Sequence, residues 1–196
     1  MKPKLVNYTK ECLESRRWNG NVVQMLVDAS ITSLGMSYFG VIVPKVREFP
    51  RAFPEINSLK ALADANTEKL RGFFKNKRSW HVAQSVAAVL MKYGSGVSAL
   101  RKWASQADHH SWRNDEIGQI NGVGINTFQY LRMMGGVNTI MPDGIVKRYI
   151  AREYGLEWSD DIDFIDKVHE MQAGYSPIEL CWLSWLVESK EIDKEF

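Results

Sequence analysis

INGVGINTF, residues 120–128, is the stretch on which the reading of this chain turns. Two glycines sit among apolar residues just before a helical pattern, in which Phe128, Leu131 and Met134 share one face until Gly135-Gly136 ends it. Upstream, Arg113, Ile117 and Ile120 fit a short helix ending near Gln119. The expected unit is therefore helix, tight glycine turn, helix. Gly122 and Gly124 take backbone angles that side-chained residues resist, and neither carries a Cβ to block an approaching ligand. The first N–H groups of the second helix lack partners within it, and the helix dipole adds positive character there. Residues 121–127 thus offer an anion site, with Asn121, Gly122, Val123, Gly124, Asn126 and Thr127 as candidate phosphate-binding positions. Ile120, Val123 and Ile125 would lock the two arms together. The nucleotide-binding pattern GxGxxG does not fit, because its sixth position is Thr127 and no strand precedes the turn. Taken alone, the turn also fits a simple connector between packed helices.

The pattern on either side is helical too. Val22, Met25, Leu26 and Ala29 have helical spacing within 21–36, and Val82, Val86, Leu90 and Tyr93 within 79–93. Ser58 and Asn66 or Thr67 are cap candidates for two short helices. Further helices are expected over 97–106, 143–154 with Gly155 as its stop, and 161–172. Ser176, Pro177 and Glu179 combine a capping residue, a first-turn proline and a capping-box glutamate, and open a Trp-rich helix to about Glu188. FGVIVP at 39–44 is β-branched enough for a short strand, but Pro44 and the lack of a partner oppose it. Pro50 and Pro54 read as loop punctuation. The expectation is an all-α protein of roughly nine to eleven helices joined by short loops.

The chain has 196 residues, 45% of them hydrophobic, enough for one domain or a pair of lobes with a sizeable core. No apolar run is long enough to span a bilayer and the start lacks a secretion signal, so an intracellular location is expected. Cys12 and Cys181 make no disulfide framework and cannot supply four thiolates to zinc or an iron–sulfur cluster. His109-His110 read as surface residues without a nearby carboxylate at ligand spacing, and no metal is expected. The net charge of +2 is uninformative, but its distribution is uneven. Residues 68–78 carry five basic side chains and one acidic, whereas 157–170 carry six acidic and one lysine. That asymmetry permits an anionic partner on one side, and equally a mixed solvated surface.

Thirteen residues past Phe128 begins a second unusual stretch, MPDGIVKR. Together, IGQINGVGINTFQYLRMMGG and TIMPDGIVKRYIAREYG resemble the helix-hairpin-helix DNA glycosylases of the endonuclease III superfamily. The resemblance covers about residues 20–155. It implies two helical lobes with a cleft between them, one built from 1–36 and 156–196. The other, 37–155, would hold the hairpin at 120–124 and the catalytic aspartate loop at 136–148. By this match Asp143 corresponds to the family's essential aspartate, and Arg148 to a basic residue following it on the same helix. Bifunctional members carry a lysine on the second hairpin helix, and here that position is Asn126. An amide cannot form a Schiff base, so the family's lyase route is closed. Where adenine-mismatch members carry a glutamate on an early helix this chain has Gln24, with Asp28 close by. Ala29 or Ser30 falls where the family's wedging glutamine is expected.

The chemistry that follows is hydrolysis of an N-glycosidic bond, with the Asp143 carboxylate stabilising an oxocarbenium-like sugar. The same residue is an ordinary helix cap, and both roles can coexist. At the helix N-terminus the dipole favours its ionised form. The partner is double-stranded DNA carrying a damaged or mispaired base, flipped into a pocket. Lys147 and Arg148 are candidate backbone contacts, and Gln24, Asp28, Tyr38 and Trp112 candidate pocket residues. The expectations are a monomer, no membrane, no cofactor and no iron–sulfur cluster. The alternative is a helix-hairpin-helix protein that binds DNA without chemistry.

Overall fold

The computed structural model describes residues 2–32 and 34–193. Among these, eleven α-helices and no strand appear: α1 Pro3–Leu13, α2 Val22–Thr32, α3 Val43–Ala52, α4 Leu59–Ala63, α5 Thr67–Phe73, α6 Lys77–Leu90, α7 Gly96–Gln106, α8 Ile125–Met134, α9 Gly144–Tyr154, α10 Asp161–Glu170 and α11 Pro177–Glu188. The all-α expectation therefore holds. No helix among the described residues is long and apolar enough to cross a membrane.

Two helices, α2 and α8, form the centre. Nearly every residue of each is buried, as befits helices whose apolar residues are not confined to one stripe. They pack on each other, with α6 and α3 against α2 and α7 against α8. Phe128 on α8 is fully buried and meets the Trp103 ring edge-on at 5.3 Å. Burying one such side chain stabilises by about 1.5–3 kcal/mol. The C-terminal helix α11 lies against α1 and α9. Its start behaves as the sequence indicates, with the Ser176 N–H donating to Glu179 Oε2 at 2.7 Å. Gly155 closes α9 in the left-handed conformation.

No strand forms at 39–44, where Pro44 already opposed one, and two other local expectations are corrected. Residues 38–42 form a single π-helical turn, Tyr38–Ile42, that runs into α3, because Pro44 suits the first turn of a helix better than a strand. Pro50 lies inside α3 rather than in a loop. It has no N–H for the Val46 carbonyl, and the Gln24 side chain supplies the missing donor, Nε2 to O at 2.8 Å. Lastly, the arm before the glycine turn is not a regular helix. It is a short 3₁₀ segment, Trp112–Asn114, followed by one turn closed by Gln119 N–H to Asp115 O at 2.9 Å. Asp115 organises that turn, since its Oδ1 accepts the Ile117 N–H at 2.8 Å and its carboxylate accepts from Trp103 Nε1 at 3.2 Å.

Candidate functional site

The glycine turn and Asp143 open onto adjoining concavities. Gly122 has φ +106, and a Cβ there would approach Val82 Cγ2 to 2.8 Å and Arg78 Nε to 3.0 Å, so this position requires glycine. Gly124 differs from expectation. Its φ of −110 and ψ of 175 are open to any residue, and nothing lies within 4 Å of a Cβ placed there. It is the N-cap of α8, and no side chain caps that helix. The first intrahelical bond at this end is Phe128 N–H to Gly124 O at 3.0 Å, so the preceding amides have no partner within the helix. A concavity of about 400 Å³ lies over this end, walled by Gly122, Gly124, Asn126, Thr127, Arg78 and Trp112. Arg78 comes from the basic run, and with Lys77, His81 and Asn121 it also borders a neighbouring depression. Asp161, from the acidic run, reaches the same wall, but its carboxylate is engaged by Lys147 Nζ.

Asn126 and Thr127 also face the second concavity, a cavity of about 370 Å³. That volume is within the usual range for small-molecule sites, roughly 300–1,000 Å³. Ala29 and Thr32 of α2, Tyr130 of α8, Met141 and Asp143 of the approach to α9, Arg148 of α9, and Trp185 of α11 complete its wall. Asn126 and Tyr130 are four residues apart and so share a helix face. Asp143 caps α9, its Oδ1 accepting the N–H groups of Ile145 at 2.7 Å and Val146 at 2.9 Å. Its Oδ2 accepts Trp185 Nε1–H at 2.8 Å. A carboxylate offers about four acceptor positions, so one remains after these three bonds. The approach segment is pinned from both sides. Gln129 Nε2 donates to Thr139 Oγ1 at 2.7 Å and to the Ile140 carbonyl at 3.2 Å, while Asn138 Oδ1 accepts the Ile178 N–H at the start of α11.

The acidity of Asp143 has an influence beyond its helix end. Burial pushes its carboxyl above the ordinary aspartate value of 3.8, and outweighs the opposing pull of the Val146 amide, the Trp185 indole, the Ile145 amide and the Arg148 charge. The helix end alone does not set its charge.

None of the four pocket candidates Gln24, Asp28, Tyr38 and Trp112 is on the wall of the Asp143 cavity. Gln24 is occupied with Val46 O. Trp112 faces the hairpin concavity and packs near Phe128, with ring centroids 6.2 Å apart. Asp28 is fully buried in α2. Its Oδ2 accepts from Trp18 Nε1 at 2.7 Å, the Tyr130 hydroxyl at 2.9 Å and the Tyr38 hydroxyl at 3.1 Å, and Thr32 donates to Oδ1 at 3.1 Å. Arg17 Nη2 donates to the Tyr38 hydroxyl at 2.8 Å. This network fixes Trp18, a non-glycine residue at φ 54, in the left-handed region. Of the backbone-contact candidates, Lys147 is paired with Asp161, and Arg148 is exposed on the cavity rim.

Trp185 and Tyr130 were not singled out by sequence. Tyr130 was findable as the fourth residue after Asn126. A buried indole N–H needs an acceptor, which signals that Trp185 has a polar partner, but not that it is Asp143, 42 residues away. The histidine pair also departs from expectation. Residues 108–110 are in a turn, and carboxylates of Asp108 and Asp166 contact both rings.

No protein-family model, curated protein or solved structure matches this chain.

Proposed function

We propose that this protein is a monofunctional DNA N-glycosylase that removes a damaged or mispaired base, acting as a monomer on duplex DNA. Two helical lobes, 1–36 with 156–196 and 37–155, would flank the cleft. The observation that carries the proposal is the shared wall of the two concavities: Asn126 and Thr127 border both the uncapped α8 end and the Asp143 cavity. A phosphate held by the α8 amides, with Arg78 beside it, leaves the adjoining nucleoside within reach of Asp143. Amides that hold a phosphate fix position without reading sequence.

In this reading the glycosidic bond breaks with its electron pair leaving on the base, which takes up a proton from solvent. The sugar becomes cationic, and the Asp143 carboxylate stabilises it across the cavity. Water then adds at the sugar carbon and gives its proton to the free acceptor position of Asp143 or to solvent. A carboxyl pushed upward by burial is a better proton acceptor than an ordinary aspartate. The amide at Asn126 offers no amine for a Schiff base, so strand cleavage through that residue is not part of the cycle.

The test is incubation with duplexes carrying a panel of damaged and mismatched bases, followed by alkaline cleavage of abasic sites. The expected result is base release from at least one duplex, with no borohydride-trapped adduct. Salt-sensitive binding without release from any duplex would instead establish the DNA-binding alternative.

A further inference from the structure

Asp108, His109 and His110 follow α7, and Asp166 faces them from α10. The two imidazole rings lie side by side with centroids 4.1 Å apart. Both turn the same edge to Asp166, with His109 Nε2 2.8 Å from its Oδ1 and His110 Nε2 3.0 Å from its Oδ2. Both turn the other edge to Asp108, whose Oδ1 is 3.2 Å from His110 Nδ1 and 3.6 Å from His109 Nδ1. A neutral imidazole has one N–H. If each ring spends it on Asp166, both Nδ1 lone pairs face a third acceptor, the Asp108 oxygen. Arg132 Nη1, which can only donate, lies 3.4 Å from His109 Nδ1 and so is consistent with a lone pair there. That contact is long, and the guanidinium makes a better bond to Gln129 Oε1 at 2.7 Å. His169 stacks beyond His109 at 6.2 Å, but its Nε2 is directed to Thr139 Oγ1.

The His110 backbone N–H takes one lone pair of Asp108 Oδ1 at 3.2 Å, and the lone pairs left on that carboxylate and on the two Nδ1 atoms converge on one point, where a cation satisfies them together. Ligands about 2.0–2.2 Å from a tetrahedral ion stand about 3.3–3.6 Å apart, close to the 3.2 and 3.6 Å that separate Asp108 Oδ1 from the two Nδ1 atoms. Asp166 has the place of the carboxylate that commonly holds the far nitrogen of a metal-bound histidine and fixes its tautomer. We propose that Asp108, His109 and His110 bind one divalent transition-metal ion of the zinc class through one carboxylate oxygen and the two Nδ1 atoms, with Asp166 orienting both rings. Nitrogen-rich donors favour such an ion over magnesium or calcium. The side chains of Asp108 and His110 are more than half exposed, so the ion reaches its ligands from solvent and keeps water in its remaining positions. Through the Asp166 contacts the site joins the 108–110 turn to α10, whose Asp161 helps wall the hairpin concavity. The site is separate from Asp143 and does not rest on the glycosylase reading.

The experiment is calorimetric titration of the chelator-treated full chain with Zn²⁺ at neutral pH, with Mg²⁺ as control and ¹⁵N spectra of the histidines. The expected result is saturable binding of one ion per chain, Nδ1 coordination of two histidines, and little response to Mg²⁺. His110→Ala and Asp108→Ala, both at exposed positions, should each weaken binding at least about tenfold, and Asp166→Asn by about 10–100-fold. Asp143→Asn should leave binding unchanged. Absence of saturable Zn²⁺ binding, or binding that survives His110→Ala undiminished, would overturn the proposal. A proton shared between His110 and the two carboxylates, with no shift of Nδ1 on adding Zn²⁺, would overturn it as well.

Discussion

Asp28 and Asp143 are both acids pushed upward by burial, and both are held by an indole N–H and other donors. They even communicate through the core, because the Trp185 ring that holds Asp143 meets the Tyr38 ring that contacts Asp28, at 5.1 Å and nearly edge-on. Yet Asp28 has four side-chain donors on its two oxygens, Arg17 nearby, and no place on the cavity wall. Asp143 has three donors, two of them the backbone of its own helix, and borders a cavity. A shifted acid is therefore not by itself a sign of chemistry. What separates the two is the unspent acceptor position and the space in front of it.

The largest effect that would sharpen this contrast is on stability. Asp28→Ala removes the acceptor shared by Trp18, Tyr38, Tyr130 and Thr32, while Arg17 keeps its ion pair with Glu11 at 2.7 Å. The expected loss is about 3–5 kcal/mol, from several buried donors left unpaired at once, read as a lower urea midpoint. Asp143→Asn should do the reverse. Base release should fall about 10²–10³-fold, while unfolding free energy falls by only about 1–3 kcal/mol, because the amide oxygen still caps α9 but its NH₂ leaves the Trp185 N–H without an acceptor. A small stability loss at Asp28 alongside a large one at Asp143 would break the contrast.

The hairpin supplies the next test. A methyl at Gly124 meets nothing in the protein and needs no unusual backbone. Gly124→Ala should leave the urea midpoint almost unchanged yet weaken duplex binding about tenfold, the cost of one charge-assisted phosphate contact. Equal binding would remove the hairpin from the interface.

Acidity gives a smaller signal. Asp143 is raised in the folded protein above its unfolded value near 3.8. Its contribution to stability is thus complete below that value and is lost as pH rises through the folded one. Between those two values, wild-type stability should fall with rising pH relative to Asp143→Asn, as urea midpoints across pH would show. Base release should follow the opposite course, declining as acid protonates the carboxylate. The smallest effect is expected at Gln24→Ala, which frees the Val46 carbonyl for about 0.5–1.5 kcal/mol and leaves base release intact.

Much of this architecture was readable from periodicity and caps: α6, α7, α9 and α11 lie within a few residues of where apolar spacing, Gly155 and the Ser176–Glu179 pair put them. The N-cap role of Asp143 was equally legible, since a Pro-Asp-Gly run before an apolar pattern is local information. What was not legible depends on contacts across the chain. Pro50 sits in a helix because Gln24, 26 residues earlier, completes its hydrogen bonding. Asp28 is withdrawn from any pocket because Tyr130, 102 residues later, reaches it. The two histidine rings lie side by side because Asp166, from a distant helix, draws both to one side. Even at Asp143, the burial that pushes its carboxyl upward is set by the packed surroundings and is not announced by the local Pro-Asp-Gly run.

The central claim is that the α8 amides and the Asp143 carboxylate act on neighbouring parts of one DNA strand. A crystal structure with a duplex containing an abasic-site analogue addresses it directly. The expected result is a phosphate on the amides at Gly122–Gly124 and the extruded sugar facing the free side of Asp143. Duplex seated on another face, or a phosphate on the hairpin with the abasic sugar turned away from that carboxylate, would contradict it.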